Sequence, residues 1–116
     1  MSAPHSPTPV AVFCAFAQPD LPSCLQLERA LKSAQRQQVL TLWHEGHIPS
    51  GMDRTEAIEA QFSRATLILL LISPDFLDAD ECDALTQRAF ERHTASQAHV
   101  IPILLRPADL EGAPIA

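Results

Sequence analysis

Most of the side chains that could do chemistry lie between Trp43 and His93. His44 and His47 bracket Glu45 in an H-E-G-H run. Two imidazoles beside a carboxylate are ligand types that zinc accepts. The spacing is common, and no third ligand of matching type stands nearby in the sequence. The pair therefore reads as solvated loop histidines, and no metal is expected. Cys82 stands at a helix start, where a thiolate is favoured. A nucleophilic cysteine also wants a histidine base, and none is close in sequence, so Cys82 reads as a structural thiol. Glu81 and Asp83 beside it suit the positive end of that helix. Ser73 ends an apolar run, at the place where open α/β sheets bind ligands. Its alternative role is to cap the turn that follows. Ile48 and Pro49 put two apolar residues on a loop between Gly46 and Gly51. Apolar surface of that kind is cheap to expose only when something covers it; otherwise Ile48 folds back onto the sheet.

These residues must be held by regular elements, and the hydrophobic pattern predicts which. Residues 1–9 alternate Pro with Ser, Thr and His and read as a disordered lead-in. Val10 to Phe16 is a short β-prone run. Asp20 is placed to cap a helix whose apolar face is Cys24, Leu27, Leu31 and Ala34. Gln35 to Gln38 ends that helix, and Val39 to Trp43 forms a second strand. The Gly- and Pro-containing loop of 44–52 follows. Asp53 and Glu56 resemble a capping box that starts a helix with Ile58, Phe62 and Ala65 inside. Thr66 to Ile72 is continuously apolar, the pattern of a strand covered on both faces. A third helix is predicted from about Asp83 to His93, with Cys82, Leu85 and Ala89 on one face. Val100 to Leu105 is the fourth strand, and Pro102 puts it at an edge. The order β-α-β-α-β-α-β implies a doubly wound parallel sheet.

Composition bounds the function. The chain has 116 residues, enough for one domain, and is 47% hydrophobic, enough for a core. Its net charge of −6 and single lysine, Lys32, argue against nucleic acid, which requires clustered Lys and Arg. Three cysteines at irregular spacing (Cys14, Cys24, Cys82) fit reduced thiols in a cytoplasmic protein. The start lacks the charged region and cleavage site of a signal peptide. Leu67 to Ile72 is too short to span a bilayer, so no membrane partner is expected.

Five segments in order resemble the Toll/interleukin-1 receptor (TIR) domain, in its bacterial form. They are VFCAFAQPD, LWHEGHIPSG, LILLLISPDFLDADEC, RAFERH and VIPILLRPADLEG, running from Val10 to about Gly112. The resemblance implies a flavodoxin-like α/β fold of TIR type, with at least four strands and three helices. It would occupy residues 10–116 and lack the family's last strand and helix. The resemblance also implies two kinds of activity. Some members are NAD glycohydrolases, which cleave the nicotinamide–ribose bond; others are adaptors that assemble with further TIR domains. In the enzymes a glutamate near the start of the third helix contacts the ribose. Negative charge there suits a transition state of oxocarbenium character.

The match departs from the enzymes at that point. Aligning RAFERH backwards places the glutamate at Leu85, and counting forward from Cys82 gives Leu85 or Thr86. The first-strand serine falls on Ala15, followed by Phe16 at an aromatic position, and the serine before the acidic turn falls on Ala79. Glu81, four residues before Leu85, is the carboxylate that could substitute from the same helix face.

The resemblance therefore implies a catalytically degenerate TIR domain, a protein–protein interaction module of bacterial signalling or immune defence. It would be cytoplasmic, would need no cofactor, and would pair with itself or another TIR domain through the loop Glu45, Gly46, His47, Ile48, Pro49, Ser50, Gly51 and the third helix. The competing expectation is an NAD glycohydrolase, or a sensor that binds NAD without cleaving it. Its nucleotide pocket would be built from Phe16, Trp43, Glu45, Ser73 and Cys82, with Glu81 as the acid. Trp43 would then stack on a ring of the nucleotide instead of packing on its neighbours. A receiver-like domain would need an acidic cluster after the first strand and an aspartate where Ser73-Pro74 stands.

Overall fold

Leu67–Ile72 spells LILLLI, a strand with no polar side chain to offer water on either face. Such a segment is stable only when both faces are covered and both edges are paired. The structure, a computed structural model that describes residues 8–105, meets both conditions. This strand, β3, is flanked by β1 (Val10–Ala15) and β4 (His99–Leu104), and β2 (Leu40–Trp43) lies beyond β1. The order is β2-β1-β3-β4, with every pairing parallel. The register sets Val12 against Leu67, Phe13 against Trp43 and Leu70 against Pro102.

Side chains alternate across the pleat and divide the core in two. One face carries Phe13, Ala15, Ile68, Leu70 and Ile72, packed on Phe62 of α3 (Arg54–Arg64), Phe76 of α4 (Pro74–Asp78), and Cys82 and Ala89 of α5 (Asp80–Thr94). The other carries Val12, Cys14, Leu42, Leu69 and Leu71 against Cys24 of α1 (Leu21–Ala30), which α2 (Lys32–Arg36) extends. The doubly wound α/β sheet predicted from the sequence is therefore the observed fold, with four strands and with two short helices beyond the three expected. Each fully buried Leu, Ile or Phe contributes about 1.5–3 kcal/mol of transfer free energy.

Several element ends differ from the sequence reading, for physical reasons. Phe16 lies just past β1, and Val39 just before β2, although the Val39 carbonyl still accepts from Val10 N–H at 3.0 Å. The first helix breaks at Leu31, giving α1 and α2. The segment between Ser73 and the predicted third helix is not all turn. Ser73 accepts from Phe76 N–H at 3.1 Å and caps α4; Ala79 then adopts extended angles and α5 restarts at Asp80, before the expected Asp83. Asp53 caps α3 by accepting from Glu56 N–H at 3.0 Å, as its spacing predicted. Residues 1–7 of the expected lead-in lie outside the described residues. So does everything after Leu105, where the expectation of a missing last strand and helix falls.

Asp20 corrects another expectation. Its side chain does not cap α1. It is 1% exposed and accepts a hydrogen bond from the Ser73 hydroxyl, itself fully buried. One hydroxyl thus joins the turn before α1, the end of β3 and the start of α4. Substituting Ser73→Ala removes the α4 cap and leaves a buried carboxylate one donor short. We expect it to lower stability by about 2–3 kcal/mol. A urea midpoint shifted down at unchanged slope would register that loss, and an unshifted midpoint would contradict it.

Candidate functional site

Parallel strands deliver all their C-terminal ends to one rim of the sheet, and open α/β sheets hold ligands there. At this rim a cavity of about 200 Å³ lies between the end of β1, the loop after β2, the first turns of α3 and the N-terminal half of α5. Phe16, Ile58, Cys82 and Leu85 form its apolar wall, and Glu45, Arg54, Glu59, Glu81 and Arg88 stand around it.

The charges pair across the cavity. Arg54, in the first turn of α3, donates to Glu45 of the loop and to Glu81 at the head of α5. Glu45 also accepts from Gln18 Nε2 at 2.9 Å. The Glu81 carboxylate, with Glu45 behind it, holds the Arg54 guanidinium above its usual range against the opposing effect of burial. On the far side Arg88 of α5 reaches back to Glu59 of α3 and lies 4.7 Å from the centre of the Phe62 ring. Of the three carboxylates around the cavity, Glu45 and Glu81 are thus engaged by one guanidinium and Glu59 by another. Exposed ion pairs of this kind add little stability; their consequence here is local charge balance.

The two alignments of the missing glutamate separate in space. Leu85 is half-buried and lines the cavity, whereas Thr86 is buried and donates its hydroxyl to the Cys82 carbonyl at 2.7 Å. Of the expected pocket residues, Phe16, Glu45 and Cys82 come together here with Glu81. Trp43 and Ser73 do not. Trp43 packs on Phe13 with ring centroids 5.4 Å apart, and Ser73 is closed in by Asp20 and the α4 cap.

The loop after β2 departs most from the sequence reading. His44 is 2% exposed, not solvated. Glu45–His47 form a turn of 3-10 helix, in which residues three apart eclipse, so the His44 and His47 rings meet at 4.0 Å between centroids. Glu28 of α1 faces both, with His44 Nε2 at 3.1 Å and His47 Nε2 at 2.6 Å. Burial pushes the Glu28 carboxyl up, but hydrogen bonds and charge from the two imidazoles outweigh it and hold the group below the usual range. Gly46 N–H donates to His44 Nδ1 at 3.0 Å. A Cβ on Gly46 would come within 2.7 Å of that ring, so this position requires glycine. No sequence signal singled out Glu28, because it comes from another element. Ile48 is half-buried and lines a surface pocket with Phe16 and Leu21, and Met52 beside the loop is exposed.

A family model for TIR domains matches residues 12–115. An uncharacterised protein of Sinorhizobium fredii, y4lF, is 41% identical over 105 residues. The match covers 90% of this chain and 32% of that protein, so the chain spans about a third of the relative's length. The crystal structure of the TIR domain of the Toll-related receptor TRR-2 from Hydra magnipapillata superposes with a TM-score of 0.70. That match covers 86% of this chain and 74% of the other at 22% identity, a likeness of fold.

The thiols make the site pH-sensitive in one direction. Burial pushes the Cys82 thiol up to about 12, with Glu81, Glu45 and Asp20 adding to the effect and Arg54 opposing it. Contact with the Cys24 thiol, then burial, also raises Cys14. An unfolded cysteine loses its proton near 9.0 while the folded one keeps it, so the stabilisation is complete below about pH 9. Stability should then fall toward pH 12 by about 1.4 kcal/mol per unit per thiol. Urea unfolding at pH 8, 9.5 and 10.5 measures this, with a shallower decline expected for Cys82→Ala. Equal stability at all three pH values would contradict the assignment.

Proposed function

The chain belongs to the TIR domain family of signalling modules, and from that premise we propose that it acts by contact with other TIR domains and does not hydrolyse NAD. The observation that carries this reading is Leu85. It lines the cavity wall at the position the resemblance assigns to the enzymes' glutamate, and of the carboxylates around that cavity Glu45 and Glu81 are tied to Arg54 and Glu59 to Arg88. Cleaving the nicotinamide–ribose bond builds positive charge on the sugar, which uncompensated negative charge would stabilise. A cavity with a leucine in its wall and its acids paired with guanidinium groups offers little of it.

The contact surfaces in this reading are the loop from Glu45 to Gly51 with Met52 beside it, and the exposed side of α5. Partners are a second copy or a TIR domain of another protein, in bacterial signalling or defence. A cytoplasmic setting suits three free cysteines. Among the described residues no helix is long and apolar enough to cross a membrane.

One observation favours a second reading. Glu81 lines the same cavity as Leu85, one helical turn before it, and could serve as the acid if Arg54 swung away. A sensor that holds NAD without cleaving it would use the same walls. Incubating the concentrated chain with NAD and measuring nicotinamide release distinguishes these. We expect no release above buffer from the native chain or from Arg54→Ala, together with concentration-dependent self-association by sedimentation. Release that Glu81→Ala abolishes would replace the interaction reading with the enzyme.

A further inference from the structure

We propose that Glu28, His44 and His47 form a binding site for one divalent transition-metal ion of the zinc class. The donor atoms, one from each residue, already lie within 4.8 Å of one another. Around a tetrahedral zinc, nitrogen and oxygen donors stand about 3.3 Å apart, given bonds near 2.0–2.2 Å. The three groups therefore need only small adjustments to accept an ion.

The arrangement follows from the local fold. A 3-10 turn brings residues three apart into line, which puts both Nε2 atoms on one side of the loop, facing α1. Helix α1 supplies the carboxylate between them. The His44 ring is held from two sides, by Gly46 N–H at Nδ1 and by the edge of Phe16 with centroids 5.9 Å apart. Two imidazoles and a carboxylate suit zinc, and also nickel, cobalt and copper(II); a site without thiolate does not select copper(I). The His47 side chain is 34% exposed and that of Glu28 28%, so an ion has a path in and water can complete its coordination.

Binding has a structural consequence. With Nδ1 accepting from Gly46, neutral His44 carries its proton on Nε2, directed at Glu28. An ion at Nε2 displaces that proton, and with the proton moved to Nδ1 the Gly46 N–H must turn away. Metal occupancy therefore ties α1 to the loop and reshapes the Glu45–His47 turn.

The test uses the purified, tag-free, metal-stripped chain titrated with zinc against a chromophoric chelator. One zinc per chain is expected. His47→Ala and Glu28→Gln, both at partly exposed positions, should each weaken binding at least about tenfold, while His99→Ala leaves it unchanged and circular dichroism confirms that the variants fold. Absence of binding at one equivalent, or binding that either substitution leaves intact, overturns the site and leaves the cluster as an ion-paired clamp between α1 and the loop.

Discussion

A strand of six aliphatic residues with nowhere polar to turn is the constraint on which this molecule rests. β3 has to be covered above and below, so the chain must lay helices on both faces of the sheet. It has to be paired on both edges, so β1 and β4 must flank it. Parallel pairing then forces each connection to cross from one end of the sheet to the other. The result is that Phe16, the loop after Trp43 and Ser73 all emerge at one rim. Nothing at that rim needed to be selected for proximity; the burial of β3 brings it about.

What the sequence disclosed, and what it hid, follows from the range of each interaction. The strands were legible because alternation and apolar runs are local patterns, and the Asp53 cap because its partner is three residues away. The α4 turn was obscured by the acidic stretch after Ser73, where several helix starts compete. Trp43 was ambiguous because an aromatic at a strand end can turn either way, and only the neighbouring Phe13 settles which. The Asp20–Ser73 contact and the meeting of Glu28 with His44 and His47 were invisible, because each joins elements far apart in sequence. A histidine in a glycine-containing loop reads as solvated until a helix elsewhere is known to pack over it.

The cavity and the histidine cluster stand on either side of one loop and distribute charge differently. On the cavity side a single arginine answers two carboxylates, and the apolar wall between α3 and α5 is spared an unpaired charge. On the α1 side a single carboxylate answers two imidazoles. Glu45 and His44 are adjacent in the chain yet belong to different networks. A displacement of the turn they share would be felt on both sides at once. In the proposed reading, where this loop is a contact surface, that coupling would place the surface under the control of groups facing away from it.

Pro102 has a meaning beyond its place at the edge. Because the His99 and Leu105 amides donate inward to the carbonyls of Thr66 and Ile72, the alternate residues Val100, Pro102 and Leu104 face outward. Val100 N–H is engaged by His93 Nδ1 at 3.4 Å, and Pro102 has no N–H to give. Two of three outward positions therefore offer an incoming strand no donor. Among the described residues, growth of the sheet by strand addition at this edge, the route by which exposed edges seed aggregates, is discouraged by one hydrogen bond and, at Pro102, by the covalent structure itself. The loop and helix surfaces proposed above for contact then face no competition from pairing along this strand.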